Sequence, residues 1–298
     1  FGLLGMTYRV DPVTSLPAVN EFGGKPGEGT IKLNNTGNID LSSGTDNVGI
    51  YGLNNNNVTP TLASSNVIIT NSGNINVGDG NTNASVGIYT NSGDVTNSGN
   101  ITVGKKGAGI YIGSGNVTVT GGTISIGEES TALSMNMTPV GGTSYTYSGT
   151  GGIINVNGQK VTGYSLTGLD NMTTPSLFTD NLTVSVGSTP ANAGEKYTQY
   201  NLLNSKFIAN KNMTFSKDGF TYINAKNSAV ELASGTTVSS TGLNSVGIYL
   251  DNDTLASPIT AFSGTYSLKN SGTITLGDSS TGIYGKNMSS AIGNAGTI

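Results

Sequence analysis

From Asn97 to Val119 the apolar side chains fall on every second position in three short runs: Ile101 and Val103; Ala108, Ile110 and Ile112; Val117 and Val119. This period of two predicts strands with one buried face. Gly-rich triplets separate the runs, at residues 97–99, 105–107 and 113–115. Glycine permits positive φ and asparagine bonds the nearby backbone, so each triplet predicts a turn.

The pattern recurs. The phrase Asn-Ser-Gly-Asn-Ile-Asn-Val-Gly at 71–78 returns with small changes at 97–104, 120–127 and 270–277, and in shorter form at 35–41 and 294–298. A second phrase, Gly-Ile-Tyr, follows at 49–51, 87–89, 109–111, 247–249 and 282–284. One cycle of three strands and three turns spans 23 residues from Asn97 to Thr120, and 26 from Asn71 to Asn97. Such a cycle cannot close a core alone, but stacked cycles bury a continuous one. The expected fold is all-β, a right-handed parallel β-helix (β-solenoid) with loop insertions. Some ten coils at a rise of about 4.8 Å make a rod of about 50 Å. Equivalent residues then lie above one another, and Asn35, Asn71, Asn97 and Asn270 are placed to form an amide ladder. A propeller is the alternative, but its blades of about 40 residues exceed the cycle.

The cycle is interrupted. Loops are expected at 54–65, 135–148 and 250–263. The phrase nearly vanishes from about Gln159 to Thr236, where six of the twelve lysines and eight aromatic residues gather. We divide the chain into β-helix coils at 1–158, a larger excursion at 159–228 and further coils at 229–298. The run 194–204 reads as a short helix within that excursion. Insertions in repeat proteins often carry binding, so the candidate partner contacts are Tyr145, Tyr147, Tyr197, Tyr200, Lys206, Lys211, Asp251 and Asp253. The competing reading is that these segments pack on the rod. The tyrosines of Gly-Ile-Tyr also have two readings. They either mark an exposed face or stack on each other and close the sheet.

Composition narrows the chemistry. The chain has no Cys and no His, which removes zinc-type ligand sets and His-based triads. A net charge of −4 with Arg9 as the one arginine gives no basic face for nucleic acid. Residues 99–105 have the glycine spacing of a phosphate loop, but Lys106 stands where Ser or Thr must hold Mg²⁺ and no helix pattern follows. Asp251 and Asp253 offer too few ligands for a specific cation site. The 17 acidic residues are scattered, unlike the paired carboxylates of glycan hydrolysis. No catalytic, metal or cofactor-binding residue is assigned. No apolar stretch of about 18 residues is present. The chain opens without a signal pattern and stops inside a repeat, so we read it as part of a longer protein.

Asn-Ser-Gly-x-Ile-x-Val-Gly followed by Val-Gly-Ile-Tyr resembles the passenger domains of type V autotransporter adhesins, and among them the giant outer-membrane adhesins of fusobacteria. The motifs cover residues 31–135 and 229–298. The resemblance implies a β-helical rod held on the Gram-negative outer surface by a C-terminal barrel outside this chain. It implies non-enzymatic adhesion to host-cell or bacterial surface protein or glycan. A β-helical polysaccharide-degrading enzyme and a pure structural spacer are the alternative functions.

Overall fold

The computed structural model describes residues 2–7, 29–54, 65–138, 145–186, 196–252, 266–288 and 291–298. These form a parallel β-helix. One face is a single ten-stranded parallel sheet. Its strands are Leu3–Thr7, Val48–Asn54, Ser85–Thr90, Gly107–Ile112, Thr131–Asn136, Val161–Thr167, Tyr197–Leu203, Phe220–Lys226, Val246–Asp251 and Thr281–Lys286. Each pairs with the strand one coil away. The second strand of each coil forms a six-stranded sheet from Gly29–Asn35 to Phe178–Asp180, then a four-stranded sheet from Lys206–Ala209 to Ala291–Asn294. The third strands divide likewise, with six from Asn38–Leu41 to Thr183–Val186 and three from Met213–Phe215 to Thr273–Leu276.

The two repeated phrases fit into each other. In Gly-Ile-Tyr the glycine stands at a corner where it and the following isoleucine both face inward. A side chain at Gly49, Gly87 or Gly109 would strike the Cγ2 of Ile75, Ile101 or Ile124 from the first phrase. The core is then a column of Ile and Val: Ile50, Ile75, Ile88, Ile101, Ile110 and Ile124 are all buried. Burial of each such side chain contributes about 1.5–3 kcal/mol.

Polar columns follow the same stacking. Asn35 donates its amide to Asn71 at 2.8 Å, and Asn71 donates to Asn97 at 2.7 Å. Asn270 belongs to a separate step of the same kind, donating to Asn294 at 2.8 Å. The outer tyrosines stack as well. Tyr51, Tyr89 and Tyr111 lie 4.9 and 5.1 Å apart with nearly parallel rings, and Tyr249 and Tyr284 lie 5.4 Å apart. Tyr111 and Tyr284 are exposed while Tyr51, Tyr89 and Tyr249 are half-buried. Both readings of these tyrosines therefore describe part of the same column.

The stretch 159–228 differs from the expected excursion. Its described residues continue the coils, and 197–203 is a strand of the ten-stranded sheet rather than a helix. Tyr197, Gln199, Tyr200 and Leu202 all face inward. The corner places two successive residues inside, so the inward spacing imitates a helical one. In Gly-Ile-Tyr the missing side chain hides that doublet. The only helix among the described residues is the 3₁₀ turn Pro175–Leu177. The loop tips at 55–64, 139–144 and 253–265, with Asp253, lie outside the described residues.

Candidate functional site

One coil carries an insert that lies wholly within the described residues. After the strand Val161–Thr167 the chain inserts residues 168–177 before the strand Phe178–Asp180. The following coil rests on the start of that insert: Lys206 bridges to Asp170, and its N–H donates to the Leu169 carbonyl at 2.6 Å. Here the two outer faces change from their first sheets to their second.

The insert is pinned. The buried Asn171 side chain donates to the Ile208 carbonyl at 3.1 Å and accepts from the Ile208 N–H at 2.8 Å, which replaces a missing strand partner. Thr173 donates to Asp170 from its N–H and its hydroxyl, both at 3.1 Å. Lys206 stands 3.7 Å from the same carboxylate.

Where the coil breaks, the interior widens and becomes aromatic. The corner column that holds Gly49, Gly87 and Gly109 holds Gln199 and Tyr222 here, and the next column exchanges isoleucine for Tyr164 and Tyr200. Gly149 makes room beside the Tyr147 ring, whose phenol oxygen a side chain there would strike. Tyr147, Tyr164, Phe178, Tyr200 and Phe207 pack with centroids 4.9–6.1 Å apart.

Asp180 is the acceptor at the centre. Its Oδ1 accepts from the Tyr164 phenol at 2.7 Å, the Leu182 N–H at 3.1 Å and Lys211 Nζ at 2.8 Å. Its Oδ2 accepts from the Tyr200 phenol at 2.7 Å and Gln199 Nε2 at 3.0 Å. Tyr147 reaches the Tyr164 oxygen at 3.0 Å, and Tyr197 donates to Gln199 at 2.6 Å. Lys211 also donates to the Leu182 carbonyl. The Asp180 side chain is 2% exposed and the Lys211 side chain 12%. A carboxylate this buried is tolerated because a cation and four further donors surround it.

Burial, and then the nearby Asp180 charge, pushes the phenols of Tyr147, Tyr164, Tyr197, Tyr200 and Tyr222 above the ordinary tyrosine range. They stay protonated and serve as donors. The cluster is thus closed upon itself, and its chemistry toward the outside lies at its rim.

That rim is a cleft of about 360 Å³. Phe178, Asp180 and Leu182 form its inner wall, Pro175 one edge, and Asn181, Asn210 and Asn212 the opening. The Asn181 and Asn210 side chains are exposed and have no hydrogen-bond partner among the described residues. A second hollow of about 470 Å³ runs from Lys196 past Asp218 and Leu243 to Val246. Its Asp218 carboxylate is occupied by the Leu243 N–H at 2.8 Å.

The candidate contacts from the sequence divide accordingly. Tyr147, Tyr197, Tyr200 and Lys211 come together around Asp180, on the inside of the rod instead of on a displayed loop. Tyr145 is also buried, in the same core. These four rings close the coil stack and do not face solvent. Lys206 anchors the insert. Asp251 lies apart on the ten-stranded sheet, where it accepts from Lys286 at 3.2 Å and Asn287 at 2.7 Å. The phosphate-loop lookalike is a turn: Lys106 has φ 53° and Lys105 pairs with Glu128 at 3.1 Å. Sequence reading missed Asp180. Its register is the one signal, since it stands in the column that holds Asn35, Asn71 and Asn97 in earlier coils.

Comparison with protein-family models, with curated proteins and with solved structures finds no match to this chain.

Proposed function

We propose that this chain is part of a non-enzymatic cell-surface adhesin of the autotransporter kind, a rod that presents binding surfaces to host cells or to other bacteria. Its ligand is a surface protein or glycan, and its membrane attachment is a C-terminal barrel outside this chain. The observation that carries the reading is the ten-stranded sheet, which runs without interruption beneath varied outer faces. At about 4.8 Å per strand it makes a stiff body of roughly 48 Å. The repeat phrases supply the resemblance. The acidic groups support a binding role over hydrolysis. Asp180 is saturated by donors, and Glu128 and Glu129 are tied to Lys105 and Lys160 at 3.1 and 2.9 Å.

The test is attachment. Beads coated with residues 1–298 should adhere to epithelial or bacterial cells, and soluble chain should compete. Bare-bead levels of attachment would leave the spacer function in its place. Release of reducing sugar from a glycan panel would replace adhesion with hydrolysis.

A further inference from the structure

The cleft at the coil break has the build of a binding site. Its volume of about 360 Å³ falls within the ~300–1,000 Å³ of small-molecule sites. Its walls are held before any ligand arrives, by the two Asn171–Ile208 bonds on one side and by the Asp180 network on the other. Its open groups are amides. Among the described residues the Asn181 and Asn210 side chains and the Asn212 amide nitrogen have no hydrogen-bond partner, while the Asn212 oxygen accepts from the Thr237 N–H at 2.8 Å. Lys211, which lines the cleft, has three protons and two bonds among the described residues, to Asp180 and Leu182.

The ligand class follows from this set. Side-chain amides pair with groups that both donate and accept, as neighbouring hydroxyls do. The Lys211 charge is cancelled by Asp180 at 2.8 Å, so the wall offers polarity without net charge and does not favour an anion. Phe178 supplies an apolar surface at the base. We propose that this cleft binds one neutral sugar ring, with Asn181 and Asn210 gripping adjacent hydroxyls and Lys211 donating to a third oxygen. The proposal rests on the adhesive reading and gives it a ligand class.

Ligand-observed saturation-transfer NMR on residues 1–298 tests it, with neutral hexoses and N-acetylhexosamines against glucuronate, sialic acid and short peptides. The expected result is transfer to a neutral sugar. The variant N181A/N210A should bind it about tenfold more weakly, the loss of two net hydrogen bonds. Both side chains are exposed and unpartnered, so an unchanged melting temperature is expected and serves as the folding control. The proposal is overturned if no neutral sugar binds, if the charged sugars or peptides bind better, or if N181A/N210A binds as well as the unaltered chain. Cell attachment separates the two readings. A variant that loses the sugar but still attaches keeps the cleft and moves adhesion elsewhere. Attachment without any sugar binding removes the cleft and leaves adhesion standing.

Discussion

Ile101 fills the space that a side chain at Gly87 would need. A methyl group built on Gly87 meets the Ile101 Cγ2 and lies 2.6 Å from the Gly109 carbonyl oxygen. The second contact is with backbone, which cannot swing aside. Gly87→Ala should therefore destabilise the chain by roughly 1–3 kcal/mol, the usual cost of overpacking. Ala132 occupies the same column two coils on from Gly87 and is buried, so the cost depends on what the neighbouring coil places there. Urea unfolding of the variant measures it, and an unchanged midpoint would refute the fit between the two phrases.

The asparagine ladder makes a graded prediction. Asn71 both accepts from Asn35 and donates to Asn97, whereas Asn97 ends the run beneath Val119. Asn71→Ala strands two amide groups in a buried column and Asn97→Ala strands one. Each unsatisfied buried group costs about 1–3 kcal/mol. The same unfolding experiment should rank Asn71→Ala as the more damaging, and the reverse order would mean that the ladder is not cooperative.

These columns were legible in the sequence because a stacked coil repeats its neighbours. Alternating Ile and Val with glycine turns predicts the strands, and the spacing of Asn35, Asn71 and Asn97 predicts the ladder. The Asp180 cluster was not legible. Tyr197, Gln199 and Tyr200 carry polar atoms and lie in a segment that has lost the phrase, so nothing local marks them as interior. Their burial depends on a corner that turns two successive residues inward, and on Gly149 and Gly163 leaving room one or two coils away. The composition change at 159–228 marks a refilled core and a short insert.

The buried phenols set an alkaline limit. An unfolded tyrosine titrates near pH 10, and burial holds Tyr147, Tyr164, Tyr197, Tyr200 and Tyr222 above that in the folded chain. Between the two values the unfolded chain sheds protons that the folded chain keeps. Stability is thus full below about pH 10 and falls as pH rises, by up to about 1.4 kcal/mol per pH unit for each phenol. The phenolate absorbance of these five residues should appear together with loss of the far-ultraviolet circular dichroism of the sheet. Full ionisation of all thirteen tyrosines with the sheet intact would contradict their burial.

The Lys211–Asp180 pair predicts a rescue. Lys211→Met removes the cation and leaves Asp180, 2% exposed, among aromatic rings. Breaking a buried pair in this way costs about 3–5 kcal/mol, because the remaining charge has lost both water and partner. A second change, Asp180→Asn, removes that charge and keeps one of the two oxygens that accept from Tyr164 and Tyr200 at 2.7 Å, while the other phenol must turn to accept from the new amide nitrogen. The double variant should therefore be more stable than Lys211→Met alone, although less stable than the unaltered chain. Denaturant unfolding of the two single variants and the double variant gives the coupling energy. If the double variant is the least stable of the three, the pair acts through packing and hydrogen bonds, and the charge balance argued for this core is wrong.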